Sequence, residues 1–142
     1  MTIFIDADGC PVVDITVEIA RTEGVECVIV CDTSHVFDKP GVRTITVSKG
    51  NDSADFALVN MVKSGDLVVT QDYGLACLCL AKHAIPIDQN GRVYTDDNID
   101  ALLNERYISK KIRMAGGRFG NHPKRTQDQD EKYTDSLKSI LG

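Results

Sequence analysis

Short apolar runs alternate with helical patterns along most of the chain, and this alternation strongly limits the folds available to it. The runs are too short for helices and contain many β-branched residues, which predicts buried strands. They occupy residues 3–5, 25–31, 67–70 and 84–87, with an alternating edge strand at 42–47. Helical patterns lie between them at 12–23, 53–63 and 75–82, and Gly24 and Gly65 close the first two. This βαβ repetition predicts an α/β fold with a mainly parallel central sheet and helices on both faces.

The length and composition of the chain fit one domain. Its 142 residues are 42% hydrophobic and 26% charged, which is enough for a sizeable core. We divide it into an α/β body at 1–113, a Gly-rich basic loop at 114–126 and a C-terminal helix at 127–141. Thr126 and Gln129 have the spacing of a capping box that opens this helix. Apolar residues at helical spacing predict that it docks on the body.

Targeting and redox features point to a cytoplasmic protein without a membrane partner. No apolar run approaches the roughly 20 residues of a membrane span, and Met1 leads directly into the first strand with no signal peptide. The five cysteines lack CxxC spacing and lie in or beside apolar segments, which predicts reduced core thiols. As an alternative, Cys10 precedes a helix N-terminus, a position that favours a nucleophilic thiolate.

Acidic residues follow the predicted strands or begin the next helices. Since the carboxyl ends of parallel strands lie along one edge of a sheet, we expect these carboxylates to meet. Their mutual repulsion calls for a cation, and Mg²⁺ or Mn²⁺ prefers oxygen ligands. Such ions lower the pKa of a bound water and hold the oxygens of a phosphodiester. The predicted metal ligands are Asp6, Asp8, Asp52, Asp55 and Asp72; all but Asp52 are also predicted catalytic residues.

Structural roles are the alternative for several of these acids. Asp52 has the position of an N-cap, and Asp55 lies where a carboxylate complements the helix dipole. Asp72 precedes Tyr-Gly and fits an ordinary turn. Asp6 and Asp8 are harder to explain structurally, because the helix after Pro11 needs at most one cap.

The C-terminal part of the chain is basic, although the whole chain carries a net charge of −5. Residues 105–142 contain nine Lys/Arg and five Asp/Glu, and no carboxylate lies between Arg106 and Arg125. Backbone N–H groups beside glycines bind anions, and Lys and Arg neutralise nucleic-acid phosphates. The predicted substrate-binding residues are Arg113, Gly116, Gly117, Arg118, Lys124 and Arg125. A solvated helix face followed by a charged loop is the alternative interpretation.

Four motifs closely resemble the bacterial YaiI/YqxD family over essentially the whole chain. They are Asp-Ala-Asp-Gly-Cys-Pro-Val at 6–12, Asn-Asp-Ser-Ala-Asp at 51–55, Thr-Gln-Asp-Tyr-Gly-Leu-Ala at 70–76 and the Gly-rich stretch after Arg113. The resemblance implies a PIN-like, three-layer Rossmann-like domain of strand order 3-2-1-4-5 with a Mg²⁺-dependent nuclease site. It also implies that Asp6, Asp55 and Asp72 are the core metal ligands, with Asp8 and Asp52 close by.

The leading functional hypothesis is a Mg²⁺- or Mn²⁺-dependent nuclease that hydrolyses phosphodiesters, in RNA rather than DNA. One alternative is a non-catalytic RNA-binding or regulatory module. Another is a phosphatase, because residues 3–9 resemble the opening motif of the haloacid dehalogenase superfamily, in which Asp6 would be the nucleophile and Asp8 the general acid/base. Nucleic acid is the expected partner, and the oligomeric state is left open, with a homodimer as one alternative.

Overall fold

A parallel β-sheet forms the centre of the molecule. The computed structural model describes residues 1–33, 37–48, 53–114 and 124–142, with the backbone alone at 53 and 106–114. The strands in these ranges are β1 (Thr2–Asp6), β2 (Glu26–Asp32), β3 (Arg43–Val47), β4 (Leu67–Val69) and β5 (Ile85–Ile87). The helices are α1 (Val13–Glu23), α2 (Ser53–Met61), α3 (Tyr73–Ala81), α4 (Asp96–Met114) and α5 (Gln127–Leu141).

The five strands lie in the order β3-β2-β1-β4-β5, and each neighbouring pair is parallel. The predicted α/β class and the 3-2-1-4-5 order are therefore confirmed. The central strand β1 pairs with β2 on one side and with β4 on the other, with Ile5 opposite both Ile29 and Val69. Strands in this position are buried on both faces, which explains why the central runs contain almost no polar residues.

Alternate side chains of β1 enter two different cores, which gives the molecule three layers. Ile3 and Ile5 are fully buried in a cluster with residues of α1 and α5. Phe4 points to the opposite face and joins a cluster with residues of α2 and α3. Helices therefore cover both faces of the sheet, as predicted, and α4 packs against α3 through Leu102 and Ala76.

Glycine ends α1 as predicted from the sequence. Gly24 has φ 67°, the left-handed conformation that glycine adopts without steric strain. Its N–H faces the carbonyl groups of Ala20 and Arg21, which would otherwise lack partners at the helix end. The chain then turns directly into β2.

The C-terminal helix α5 packs on α1. Its predicted capping box is present: the Thr126 hydroxyl accepts from the N–H of Gln129, and the Gln129 side chain accepts from the N–H of Thr126. Tyr133 is fully buried, and its hydroxyl lies 2.6 Å from that of Thr16. The Thr16 hydroxyl in turn donates to the carbonyl of Val12. In the described ranges, none of the helices combines the length and the apolar character that a membrane crossing requires.

Candidate active site

Three carboxylates lie at the carboxyl edge of the two neighbouring central strands. Asp6 is the last residue of β1, and Asp8 lies in the turn that follows. Asp72 comes shortly after β4 and caps α3. Because β1 and β4 are adjacent and parallel, their ends bring Asp6 and Asp72 together. The structure thus brings together Asp6 and Asp72, which follow different strands, with Asp8 two residues after Asp6.

Hydrogen bonds tie the turn after β1 to its surroundings. Gly9 has φ 74°, a conformation that a larger residue would adopt only with strain. Its carbonyl accepts a hydrogen bond from the side-chain amide of Gln71 at 2.9 Å, which joins this turn to the loop before α3. One oxygen of Asp8 accepts from the backbone N–H of Asp32 at 3.0 Å, which joins the turn to the end of β2. These contacts fix the loop that carries Asp8.

Thr70 connects two of the carboxylate-bearing segments. It follows β4, is 2% exposed, and donates its hydroxyl hydrogen to Oδ2 of Asp6 at 2.8 Å. The same hydroxyl accepts from the backbone N–H of Asp72 at 3.0 Å. Oδ1 of Asp72 accepts from the N–H of Leu75 at 3.1 Å, the contact of an N-cap. Asp72 therefore has a structural role in α3 besides its place in the cluster.

The carboxyl group of Asp6 lies where its charged form is disfavoured. Burial raises its pKa from 3.8 to about 6, and the hydrogen bond from Thr70 opposes that rise. The negative charges of Asp72 and then Asp8 raise it further. Asp72 and Asp8 therefore each lie close enough to repel the charged Asp6 carboxylate, as the sequence predicted for Asp8.

Asp55 lies in the first turn of α2, on the face of the sheet that Phe4 enters. Burial raises the pKa of the Cys79 thiol to about 12, and the charges of Asp6 and Asp55 both add to this rise. The two acids therefore act on the same thiol of α3. Asp52 lies outside the described residues, so its predicted place in the cluster stays a prediction.

The predicted substrate-binding segment is described only at its ends. Gly116, Gly117 and Arg118 lie outside the described residues, as does the side chain of Arg113. Lys124 is exposed, as a residue that contacts phosphate must be.

Arg125 makes internal contacts instead. Its guanidinium donates to a carboxylate oxygen of Asp130, to the carbonyl of Gln89 and to the side-chain oxygen of Asn90 at 3.1 Å. Its side chain is 18% exposed. The structure thus gives Arg125 a role in attaching the start of α5 to the turn after β5, which the sequence interpretation did not include.

The chemistry of the carboxylate cluster fits a hard divalent cation. A cation beside Asp6 and Asp72 would offset the repulsion that raises the pKa of Asp6. Within the described ranges, no three His, Cys, Asp or Glu side chains are grouped closely enough to hold a metal ion. Mg²⁺ does not require such a group, because it commonly uses one or two carboxylates and completes its octahedron with waters and substrate phosphates. Asp6 and Asp72, with Asp8 beside them, suit that mode of binding.

The prediction that the cysteines are reduced thiols in the core is confirmed for three of them and wrong for Cys77. Cys27, Cys31 and Cys79 are buried free thiols, as predicted, whereas Cys77 is exposed on α3 and is not part of a core. Burial raises the pKa of Cys10 to about 11. This shift is opposite to the lowered pKa that an activated nucleophile needs, so the alternative role for Cys10 is not supported.

Three residues of the site region were not singled out from the sequence. They are Thr70, Gln71 and Tyr94, the last of which donates its hydroxyl to the carbonyl of Thr70 at 3.1 Å. Thr70 and Gln71 belong to the 70–76 motif, so a polar residue at the end of an otherwise apolar strand was an available signal. The sequence did not indicate a role for Tyr94, because the Thr70 carbonyl group that it contacts lies 24 residues away in the chain.

Fold and site together define an α/β protein with a cluster of carboxylates at the carboxyl edge of a parallel sheet. Comparison with known proteins then identifies the family to which it belongs. The family model described as "Uncharacterized BCR, YaiI/YqxD family" matches residues 4–142, and the chain belongs to this family.

Relatives of similar length share much of the sequence. A UPF0178 protein from Exiguobacterium sibiricum is 52% identical, over 99% of this chain and 96% of the relative. A UPF0178 protein from Ruminiclostridium cellulolyticum is 47% identical, over 96% of this chain and 90% of the relative. Among solved structures, a mutant of Rae1 (YacP) from Bacillus subtilis is similar with a TM-score of 0.48 and 13% identity, over 81% of this chain and 83% of that one.

Proposed function

We propose that this protein is a Mg²⁺- or Mn²⁺-dependent nuclease that hydrolyses phosphodiester bonds, in RNA in preference to DNA. The observation that supports it most is the meeting of Asp6, Asp8 and Asp72 at the carboxyl ends of β1 and β4, with the pKa of Asp6 raised to about 6. A carboxyl group kept in so unfavourable a place is typical of a functional site.

The carboxylates have distinct tasks in this proposal. Asp6 and Asp72 hold the cation, and the hydroxyl of Thr70 fixes the Asp6 carboxylate at 2.8 Å. Asp8 adds negative charge next to them while its other contact keeps the turn attached to β2. Asp55, in the first turn of α2, is proposed as a further ligand on the basis of the sequence. When bound, the ion supplies an activated water and neutralises charge on the phosphate being attacked.

The basic residues before α5 are proposed to hold the nucleic-acid backbone. Lys124 is exposed, as a phosphate contact requires, and positive side chains release counterions when they bind phosphate. Arg125 contributes indirectly, by holding the start of α5 against the turn after β5. The segment from Arg113 to Arg118 remains part of the proposal on its sequence alone.

Cleavage of labelled RNA tests the proposal. Single-stranded RNA, double-stranded RNA and DNA are incubated with Mn²⁺, with Mg²⁺ or with EDTA, using wild type, Asp6→Asn and the control Asp135→Asn. Asp135 is an exposed acid of α5, so its change alters charge without touching the cluster. We expect metal-dependent cleavage of RNA by wild type and Asp135→Asn, and a loss of at least about a hundredfold in Asp6→Asn.

Other outcomes would overturn the proposal in favour of a named alternative. Hydrolysis of a small phosphomonoester that depends on Asp6, without RNA cleavage, would indicate the phosphatase. RNA binding that survives Asp6→Asn, without cleavage at any metal concentration, would indicate the binding module. Equal cleavage by wild type and Asp6→Asn would show that the cluster is not the active site.

A further inference from the structure

Thr70 makes hydrogen bonds through each of its polar groups to a different segment of the fold. Its N–H donates to the carbonyl of Ile87 in β5 at 3.0 Å, and its carbonyl accepts from the hydroxyl of Tyr94 at 3.1 Å. Its hydroxyl donates to Asp6 in β1 and accepts from the N–H of Asp72 before α3. Buried polar groups need such partners, but Thr70 bonds to three other parts of the chain besides Asp72 in its own loop, so it connects several elements of the fold.

Hydrogen bonds to Ile87 and Tyr94 restrain the backbone of Thr70. Tyr94 is 1% exposed, and its ring packs edge-on against that of Tyr73 with centroids 5.9 Å apart. Together with the bond to β5, the hydrogen bond from Tyr94 restrains the main chain of Thr70 at both its N–H and its carbonyl group. The hydroxyl is therefore held in one place, and the Asp6 carboxylate and the Asp72 backbone are held against it.

The hydroxyl has only one hydrogen, which decides the direction of its two bonds. The N–H of Asp72 can only donate, so the hydroxyl must accept from it and give its own hydrogen to Asp6. Both bonds are satisfied only when Asp6 and Asp72 occupy set positions relative to each other. One side chain thus sets the spacing of two carboxylate-bearing residues that come from separate strands.

We propose that Thr70 is a positioning residue, which orients Asp6 and Asp72 for the cation through its hydroxyl. This inference rests on the proposed function for the identity of the ligand, but not on RNA being the substrate. It differs from a purely structural role, in which removal of the hydroxyl would lower stability without a specific effect on metal affinity.

Mn²⁺ affinity of the full chain, measured by electron paramagnetic resonance of free Mn²⁺, tests the proposal. Thr70→Val removes the hydroxyl and keeps the shape, whereas Thr70→Ser keeps the hydroxyl. Thr16→Val is the matched control, because Thr16 is equally buried and hydrogen bonded but lies in the core between α1 and α5. We expect Thr70→Val to weaken Mn²⁺ binding about tenfold or more, with Thr70→Ser and Thr16→Val close to wild type.

Hydrogen exchange at the Asp72 amide gives a readout that needs no metal. This N–H donates to the Thr70 hydroxyl, so its exchange should become at least tenfold faster in Thr70→Val and return toward wild type in Thr70→Ser.

Equal Mn²⁺ affinity in Thr70→Val and wild type would overturn the inference, even if wild type cleaves RNA. If wild type binds Mn²⁺ but cleaves nothing, the proposed function fails and the positioning role is still decided by affinity. If wild type binds no Mn²⁺, there is no cation for which Thr70 could orient Asp6 and Asp72, and the inference is overturned whatever the exchange rate at Asp72.

Discussion

At the scale of single residues, Asp6 makes folding less favourable at neutral pH. Its pKa is raised from 3.8 to about 6, first by burial and then by the charges of Asp72 and Asp8. An acid whose pKa is higher in the folded state binds its proton more tightly there than in the unfolded chain. The folded state therefore loses stability as pH rises from about 4 through about 6. The loss at pH 7 is on the order of 2–3 kcal/mol.

Asp6→Asn should remove this loss in metal-free protein. Asparagine has no charge but keeps an oxygen that can accept from the Thr70 hydroxyl. In EDTA at pH 7 we expect the variant to be more stable than wild type by on the order of 2–3 kcal/mol, and at pH 4 the difference should almost vanish. Urea unfolding at several pH values measures this, with Asp135→Asn as the control. Parallel stability curves for wild type and Asp6→Asn would contradict the expected electrostatic cost.

Thiol reactivity should separate Cys77 from Cys10. Cys77 is exposed on α3, whereas burial raises the pKa of Cys10 to about 11. Because the thiolate is the reactive form, Cys77 should be alkylated first in native protein at pH 8 and Cys10 should react far more slowly. Mass spectrometry after brief iodoacetamide treatment shows the order. The variant Cys77→Ser should lose the fast phase, and rapid labelling of Cys10 would contradict the raised pKa of its half-buried thiol.

At the scale of helices and strands, the local patterns of the sequence were sufficient for most elements. The predicted helix at 53–63 ends at Met61, and the helix predicted to begin at Leu75 begins at Tyr73. The second difference has a physical cause, since the side chain of Asp72 caps α3 and extends it toward the cluster. Asp72, which the sequence suggested as a metal ligand or a turn residue, is therefore also the N-cap of α3.

Arg125 shows where sequence patterns are insufficient. Its place in a run of basic residues predicted a phosphate contact, but Asn90 is 35 residues away in the chain and local spacing could not reveal that contact. The pairing with Asp130, five residues on, is also formed only once α5 is in place.

The contacts of Arg125 predict a stability effect. Arg125→Ala removes hydrogen bonds that fasten the start of α5, so we expect it to lower the free energy of unfolding by about 1–3 kcal/mol. Lys124→Ala is the matched change at an exposed neighbour and should stay within about 0.5 kcal/mol of wild type. Urea unfolding monitored by circular dichroism compares the two. If Arg125→Ala were as stable as wild type, the internal role of Arg125 would be wrong.

At the scale of the whole molecule, the sequence predicted the class of fold from its own residues and the strand order only through the family resemblance. βαβ repetition indicates a parallel sheet, but it does not say which strand lies beside which. The observed order places β1 next to β4, which is what brings Asp6 beside Asp72. The sequence was therefore sufficient to predict acids along one edge of the sheet. The hydrogen bonds that Thr70 makes to Asp6 and Asp72 could be identified only from the three-dimensional structure.

We propose that the carboxylates of Asp6, Asp8 and Asp72 form the active site of a metal-dependent nuclease. The most direct test of this proposal is the rate of RNA cleavage in Mn²⁺ by wild type against Asp6→Asn, with folding of the variant checked by its thermal unfolding. We predict cleavage by wild type that EDTA stops, and at least about a hundredfold slower cleavage by a variant that is folded and no less stable. Equal rates in the two proteins, or no metal-dependent cleavage by wild type, would contradict the account.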